Sequence, residues 1–182
     1  MNTLILIKTL LAVPWLIFLS VNDIRKHELP NKILLAGFLV ALPIALAIGV
    51  DYLALSLLTA FLSSLFLLLP FFLRAAGAGD VKMLFVAGFI AGPDNTLNLI
   101  LLTSFAGLLL ALFMLLLKKV NPARIKHYCR CLFDFTYDRA AGKAALPAAD
   151  DESCRVPFGV AISAGLFLNL LVQCLYTFGV GR

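Results

Sequence analysis

Long apolar segments separated by short polar stretches constrain this chain more than any other feature. Of its 182 residues, 62% are hydrophobic, and its mean hydropathy is +1.01, whereas a soluble domain is about 45–50% apolar. A helix needs about 20 apolar residues to cross the ~30 Å hydrocarbon core of a bilayer. Within lipid, helices satisfy their backbone hydrogen bonds internally and pack through small residues. The composition therefore predicts an all-helical, multi-pass membrane bundle that forms a single domain over residues 1–182.

Six segments are apolar enough to be membrane spans. The fourth is short, but the basic stretches of the chain would be divided between both membrane faces if it did not cross. We therefore expect it to cross, with local thinning of the bilayer or a tilted neighbouring helix. The predicted spans are Leu4–Val21, Ile33–Gly49, Tyr52–Leu73, Val81–Ala91, Leu97–Leu117 and Pro157–Phe178.

The cations are concentrated in three polar stretches. Residues 22–32, 74–82 and 118–155 hold three, two and eight of the 15 Lys and Arg. Six spans place all three stretches on one side of the membrane, and the positive-inside rule makes that side the cytoplasm, with both termini outside. The pattern reports orientation rather than nucleic-acid binding, because no arginine-rich run is interleaved with aromatic residues.

The longest polar stretch, 118–155, is predicted to be a cytoplasmic loop. Its residues 124–137 have apolar side chains at helical spacing on one face and basic ones on the other, which is typical of a helix lying on the membrane surface. His127 lies near Cys129 and Cys131, but this spacing fits no standard zinc pattern. We expect reduced thiols and no metal site.

Two aspartates, Asp23 and Asp80, lie where apolar segments meet polar stretches. Ionisable groups at the ends of membrane spans are costly enough to suggest a function, and the predicted orientation places both on one face. Two carboxyl groups that share one proton can hydrolyse a peptide bond, because the ionised one accepts a proton from water while the other protonates the carbonyl. This pair predicts an aspartic protease.

The residues before Asp80 fit this hypothesis but have simpler explanations. Gly77 and Gly79 allow a positive φ or the close approach of a substrate strand, and Asp80 would start a helix whose dipole favours its ionised form. Alternatively, Asp80 only caps a helix, Asp23 is a solvated loop residue, and the glycines serve helix packing. Spacing alone leaves these alternatives open.

Three short motifs resemble those of the type IV prepilin peptidases, or leader peptidases. DIRKHELPN at 23–31 resembles their D-x-R-x(4)-P-N stretch, GAGDVK at 77–82 is similar to their G-x-G-D-x-K motif, and VPFG at 156–159 resembles their P-[FY]-G stretch. The motifs occur in the family's order, and the six-span organisation covers nearly the whole chain.

The resemblance implies that Asp23 and Asp80 are the catalytic pair of a GxGD-type aspartic endopeptidase. The implied partners are the lipid bilayer and a prepilin substrate with a short basic leader and an apolar helix, cleaved at the cytoplasmic face of the bacterial inner membrane. No cofactor is implied, and the sequence does not specify an oligomeric state. The remaining motif residues would shape the site or position the substrate: Arg25, Pro30, Asn31, Gly77, Gly79, Lys82, Pro157 and Gly159.

The chain departs from the larger, bifunctional members of that family. Those members carry a cytoplasmic domain between spans one and two that N-methylates the cleaved product, whereas only residues 22–32 join these spans here. We therefore predict no methyl transfer. The short form is most similar to the Tad/Flp-type (CpaA/TadV-like) peptidases, which serve pilus or secretion-system biogenesis.

Two other functions compete with proteolysis. A small transporter would use the two carboxylates as a proton or cation site and would give ion flux in liposomes. A non-enzymatic assembly partner of a secretion system would tolerate Asp→Asn at both positions. Against the transporter, the two acids are predicted to lie at one face rather than at the midplane.

Overall fold

The described part of the protein is built from helices. The computed structural model describes residues 2–26, 29–72, 76–116 and 158–179, and none of these residues forms a strand. The all-helical prediction is therefore confirmed. In chain order the helices are α1 (Asn2–Lys26), α2 (Asn31–Ile48), α3 (Val50–Phe66), α4 (Leu68–Phe72), α5 (Ala78–Ala91), a 3-10 turn (Pro93–Asn95), α6 (Thr96–Leu116) and α7 (Phe158–Phe178).

Four of these helices are long and apolar enough to cross a membrane: Leu6–Lys26, Asn31–Ile48, Pro93–Leu116 and Phe158–Tyr176. The other two predicted spans are shorter, with 17 residues in α3 and 14 in α5. α5 is the central helix, because nine of its 14 residues are buried and it packs against α2, α3 and α7. A helix that is apolar all round is typically enclosed by protein, which accounts for the composition of α5.

The third predicted span, Tyr52–Leu73, is interrupted in the structure. α3 ends at Phe66, and the Leu67 amide donates to the Ser64 carbonyl at 3.2 Å in a tightened turn. Pro70 explains the break, since it has no N–H to donate to Phe66 and its ring would clash with that carbonyl in a continuous helix. α4 is a separate short helix as a result.

Small residues bring the helices close together. A Cβ at Gly88 of α5 would lie 3.1 Å from the Ala60 Cα in α3, and one at Gly165 of α7 would lie 2.7 Å from the Thr103 Cα in α6. Neither contact leaves room for a side chain. The bundle is therefore packed through small residues, as expected for helices that associate in lipid.

The helix ends converge at two ends of the bundle. At the first, which we name the aspartate end, Val160 at the start of α7 contacts Asp23 near the end of α1. Lys82 at the start of α5 contacts Asn31 at the start of α2. The basic stretches at 22–32 and 74–82 therefore adjoin helix ends that lie together.

The second, or opposite, end holds the other termini of the same helices. Thr9 near the start of α1 contacts Cys174 near the end of α7 at 3.5 Å, and Asn169 of α7 donates to the Asn95 carbonyl just before α6. α6 is consequently antiparallel to α7 and ends at the aspartate end, where the third basic stretch begins.

Candidate functional site

Asp23 lies within α1 and is only 4% exposed. The alternative of a solvated loop residue is therefore wrong. Its Oδ2 accepts a hydrogen bond from the Val160 amide at 3.1 Å, in the first turn of α7. A Cβ at Gly159 would lie 2.7 Å from the same oxygen. The glycine of the last motif thus allows the Asp23 carboxylate to reach the backbone of α7.

Asp80 lies in the first turn of α5 and is 8% exposed. Its Oδ2 accepts a hydrogen bond from the Gly77 amide at 2.8 Å, while its own amide donates to the Gly77 carbonyl at 3.1 Å. The predicted position at a helix start is confirmed, and the carboxylate also caps its own helix. Capping holds the side chain in one orientation, and this is compatible with a chemical role.

The two glycines before Asp80 do not have positive φ values. Gly77 is extended, with φ −84° and ψ 158°, and Gly79 is not among the positive-φ glycines. Gly79 does allow a close approach, since a Cβ there would lie 3.0 Å from the Leu29 Cβ, but the approach of a substrate strand stays a prediction. The neighbour is the chain's own segment between α1 and α2. Gly79 therefore brings that connection against α5.

Both carboxylates are bound in the same way. Each accepts an amide hydrogen bond at a helix N-terminus, Asp23 at α7 and Asp80 at α5. The positive end of the helix dipole and an N–H donor both stabilise negative charge. α7 packs against both aspartate-bearing helices. The site therefore holds two buried acids against helix ends in one bundle.

A polar contact joins two of the other motif residues. Lys82 Nζ donates to Asn31 Oδ1 at 2.9 Å, linking α5 to α2. Pro30 precedes Asn31 as the N-cap of α2, and its carbonyl accepts from the Ile33 and Leu34 amides. The Pro-Asn pair therefore starts α2 and attaches it to the N-terminal part of α5.

Arg25 is not brought into this arrangement. Arg25 is exposed, and two residues along a helix from Asp23 it lies on nearly the opposite face. Pro157 lies outside the described residues, as does the loop 118–155 with His127 and its neighbouring cysteines. Within the described ranges no group of three or more His, Cys, Asp or Glu side chains is placed to hold a metal ion.

Two residues of the site were not anticipated from the sequence. Leu29 packs against Gly79. Its position as an apolar residue within a polar stretch was the feature that could have indicated this contact. Val160 contributes only its backbone amide to Asp23. No side-chain pattern could reveal this role, since any residue except proline carries that donor.

Comparison with known proteins identifies one family. The sequence model of the type IV leader peptidase family matches residues 10–112, which is more than half of the chain and includes both Asp23 and Asp80. No curated protein and no solved structure matches the chain significantly. The family match supports a leader peptidase activity and lends no support to a transporter.

Proposed function

Because the chain belongs to the type IV leader peptidase family, we propose that it is an aspartic endopeptidase whose catalytic residues are Asp23 and Asp80. The observation that carries this proposal is the burial of both carboxylates at one end of the bundle, each against a helix N-terminus. Buried acids in membrane helices are rare outside functional sites. Two at the same end suit a reaction that needs a base and an acid.

The proposed reaction is hydrolysis of one peptide bond. The ionised carboxyl group accepts a proton from water as the water oxygen attacks the carbonyl carbon, and the protonated carboxyl group donates its proton to the carbonyl oxygen. Collapse of the tetrahedral intermediate breaks the C–N bond, and the leaving nitrogen takes a proton from the site. This chemistry requires both carboxyl groups to reach one water molecule in the working enzyme.

The proposed substrate is a type IV-like prepilin of the Flp/Tad class, cleaved behind its short basic leader. We place the aspartate end at the cytoplasmic face of the inner membrane, because the three basic stretches adjoin helix ends at this end. Both termini would then be outside. Methyl transfer is not part of the proposal, since only a short segment joins α1 to α2.

The direct test is coexpression with candidate prepilins, followed through the mobility shift on cleavage. Asp23→Asn and Asp80→Asn should each reduce cleavage at least ~10³-fold, in the range seen when an essential catalytic group is removed. Asp51→Asn and Asp94→Asn are matched controls, because both acids are exposed and lie near the opposite end. These controls should cleave like the wild type.

Measurable cleavage by purified, folded Asp80→Asn would overturn the aspartic mechanism. Folding is checked by size-exclusion chromatography and helical circular dichroism, so a misfolded variant is not mistaken for an inactive one. If both variants retain full activity, the pair has no catalytic role.

A further inference from the structure

Lys8 is a cation at a position that the membrane orientation does not explain. Thirteen of the 15 Lys and Arg lie in the three basic stretches, and the other two are Lys8 and Arg182. Lys8 belongs to the apolar part of α1 and precedes Thr9 at the opposite end of the bundle, the end that we place outside. Cations within membrane helices are costly and typically have a partner or a function.

The Lys8 ammonium lies next to the end of α5. It donates to the Tyr52 hydroxyl at 3.5 Å, and a Cβ at Gly92, which follows α5, would lie 3.7 Å from the Lys8 Nζ. Within the described ranges Lys8 forms this one long hydrogen bond, and no carboxylate pairs with it. Asp51 and Asp94 are exposed at the same end. Since an ammonium carries three donors, it can bind a further acceptor.

Lys8 also lines a cavity of about 160 Å³ between α1 and α2. At the other end of this cavity Trp15 packs on Gly37, and its indole N–H donates to the Ile33 carbonyl at 2.8 Å. Lys8 and Trp15 are seven residues apart on one face of α1, which is about 10 Å along the helix. The cavity therefore extends from a cation at the opposite end of the bundle to an indole deeper within it.

The walls between these two side chains are apolar and open toward lipid. Leu11 and Val40 both line the cavity, and each is 46% exposed. Ala12 on α1 and Ala41 on α2 also line it, and their small side chains leave the space unfilled. An apolar cavity of roughly 150 Å³ holds hydrocarbon rather than water. An occupant therefore enters from the bilayer and is apolar over most of its length.

The two ends of the cavity together select a phospholipid. An acyl chain suits the apolar walls, and a phosphate suits the ammonium, since basic pockets between membrane helices bind phospholipid headgroups. Lysine reaches headgroup level by extending its apolar stem along the protein, and the Tyr52 hydroxyl can donate to the same phosphate. A zwitterionic headgroup would bring a second ammonium close to Lys8. Repulsion between like charges therefore favours a headgroup with net negative charge.

We propose that this cavity binds one acyl chain of an anionic phospholipid, whose phosphate is held by Lys8 and Tyr52. The inference goes beyond the proposed function and does not depend on it, because no step of the hydrolysis involves this end of the bundle. In the competing interpretation, Lys8 only offsets the partial negative charge at the C-terminal end of α5.

The first experiment labels the cavity of the wild-type protein in liposomes. The probe is a phosphatidylglycerol with a photoactivatable diazirine halfway along one acyl chain, and its adducts are mapped by mass spectrometry. We expect adducts at Leu11 or Val40. Unlabelled phosphatidylglycerol should displace this label about tenfold more effectively than phosphatidylethanolamine with the same chains.

The control position for this labelling is Leu108 on α6, which is 57% exposed and does not line the cavity. Both unlabelled lipids should reduce labelling of Leu108 equally. Labelling of the cavity that both lipids likewise reduce equally would overturn the proposal.

The second experiment removes the charge. Lys8→Met should lower the affinity for phosphatidylglycerol about tenfold, measured by native mass spectrometry of the purified protein with added lipid. Lys8→Arg keeps the cation and should retain most of the affinity. Lys32→Met removes an exposed cation at the aspartate end and should bind phosphatidylglycerol like the wild type.

The thermal unfolding midpoint separates the proposal from the competing interpretation. If Lys8→Met lowers the midpoint but keeps the preference for phosphatidylglycerol, Lys8 serves only the end of α5 and the proposal is wrong. If Lys8→Met loses the added stability that phosphatidylglycerol gives the wild type, the proposal is supported. Should Lys8→Met fail to fold, the lipid competition on the wild type decides by itself.

Discussion

At both ends of the bundle, side chains form hydrogen bonds with backbone groups at helix termini. They are acceptors at one end and a donor at the other. At the aspartate end, carboxylates accept hydrogen bonds from amides at helix N-termini. At the opposite end, the Gln173 side-chain amide donates to the carbonyl of Ala91, the last residue of α5, at 3.2 Å. Both ends satisfy backbone groups that a helix leaves without partners. α5 is therefore bound by a side chain at each of its termini.

The ends differ in the chemistry of those side chains. Gln173 also donates to Asn169 at 2.6 Å, and both residues are buried. Side-chain amides are not ionisable groups, whereas carboxyl groups can accept and donate a proton. Equivalent structural positions can thus serve stability at one end and proton transfer at the other. The following predictions test this division, from the largest effect to the smallest.

The largest effect is expected from Gly159→Ala at the aspartate end. The new methyl group would lie 2.7 Å from Asp23 Oδ2, so the carboxylate must move. Displacement of a catalytic group by about 1 Å can cost ~10²-fold in rate, and we expect a loss of that order in kcat. Alanine is the better helix former, so the helix itself is not the cause. Prepilin cleavage by purified protein is the measurement.

Gly107→Ala is the matched control for that substitution. It also places a methyl group between packed helices, but its nearest neighbour, the Ala161 Cβ, lies at an ordinary 3.8 Å. Activity close to wild type is expected. Equal losses in the two variants would show that general packing, and not the position of Asp23, determines the effect.

Gln173→Leu at the opposite end should affect stability rather than activity. It leaves the buried Ala91 carbonyl without this donor, at a cost of about 1–3 kcal/mol. We expect a lower thermal unfolding midpoint in detergent and, at permissive temperature, kcat within about twofold of wild type. Asn98→Leu on the exposed face of α6 is the control. Loss of catalysis in a stable Gln173→Leu protein would remove the distinction between the ends.

The Lys82–Asn31 contact should give a smaller effect at the aspartate end. Asn31→Ala and Lys82→Met each break the same hydrogen bond, so their effects should not add. A double-mutant cycle on kcat/KM is expected to give a coupling energy of about 0.5–1.5 kcal/mol. Strictly additive effects would mean that the two residues act independently.

The smallest predicted effect is a difference in activity between alanine variants of Gly77 and Gly79, the two glycines of one motif. Gly79→Ala brings a methyl group to 3.0 Å from the Leu29 Cβ, whereas at Gly77 the nearest atom, Asp80 Oδ2, lies at 3.4 Å. Gly79→Ala should lower activity a few-fold through a shift of the connection, and Gly77→Ala should stay near the wild type. If Gly77→Ala were less active than Gly79→Ala, the position beside the Asp80 carboxylate would matter more than the contact with Leu29.

Much of the fold was predictable because hydropathy is a local property. All six apolar segments form helices, four of which are long and apolar enough to cross a membrane, with differences where a local rule was overlooked. Pro70 interrupts the predicted third span after Phe66. α1 continues past the apolar run through Asp23 to Lys26, since hydropathy marks where lipid ends but not where a helix ends.

The candidate site was predictable in part. The motifs identified Asp23 and Asp80, and the family match spans both. Their immediate partners were not predictable, because a backbone amide such as that of Val160 leaves no trace in side-chain patterns. The close contact of Gly79 with Leu29 was likewise hidden, since it depends on how two connections pack.

By itself, the sequence determined that this is an all-helical membrane protein of the leader peptidase family with two acids beside apolar helices. Hydropathy and short motifs depend only on neighbouring residues, so they can be read directly. Only the tertiary structure decided that Asp23 binds a helix start 137 residues away. It also decided that α5 is enclosed by other helices. Those features depend on distances between helices, and these are set by packing.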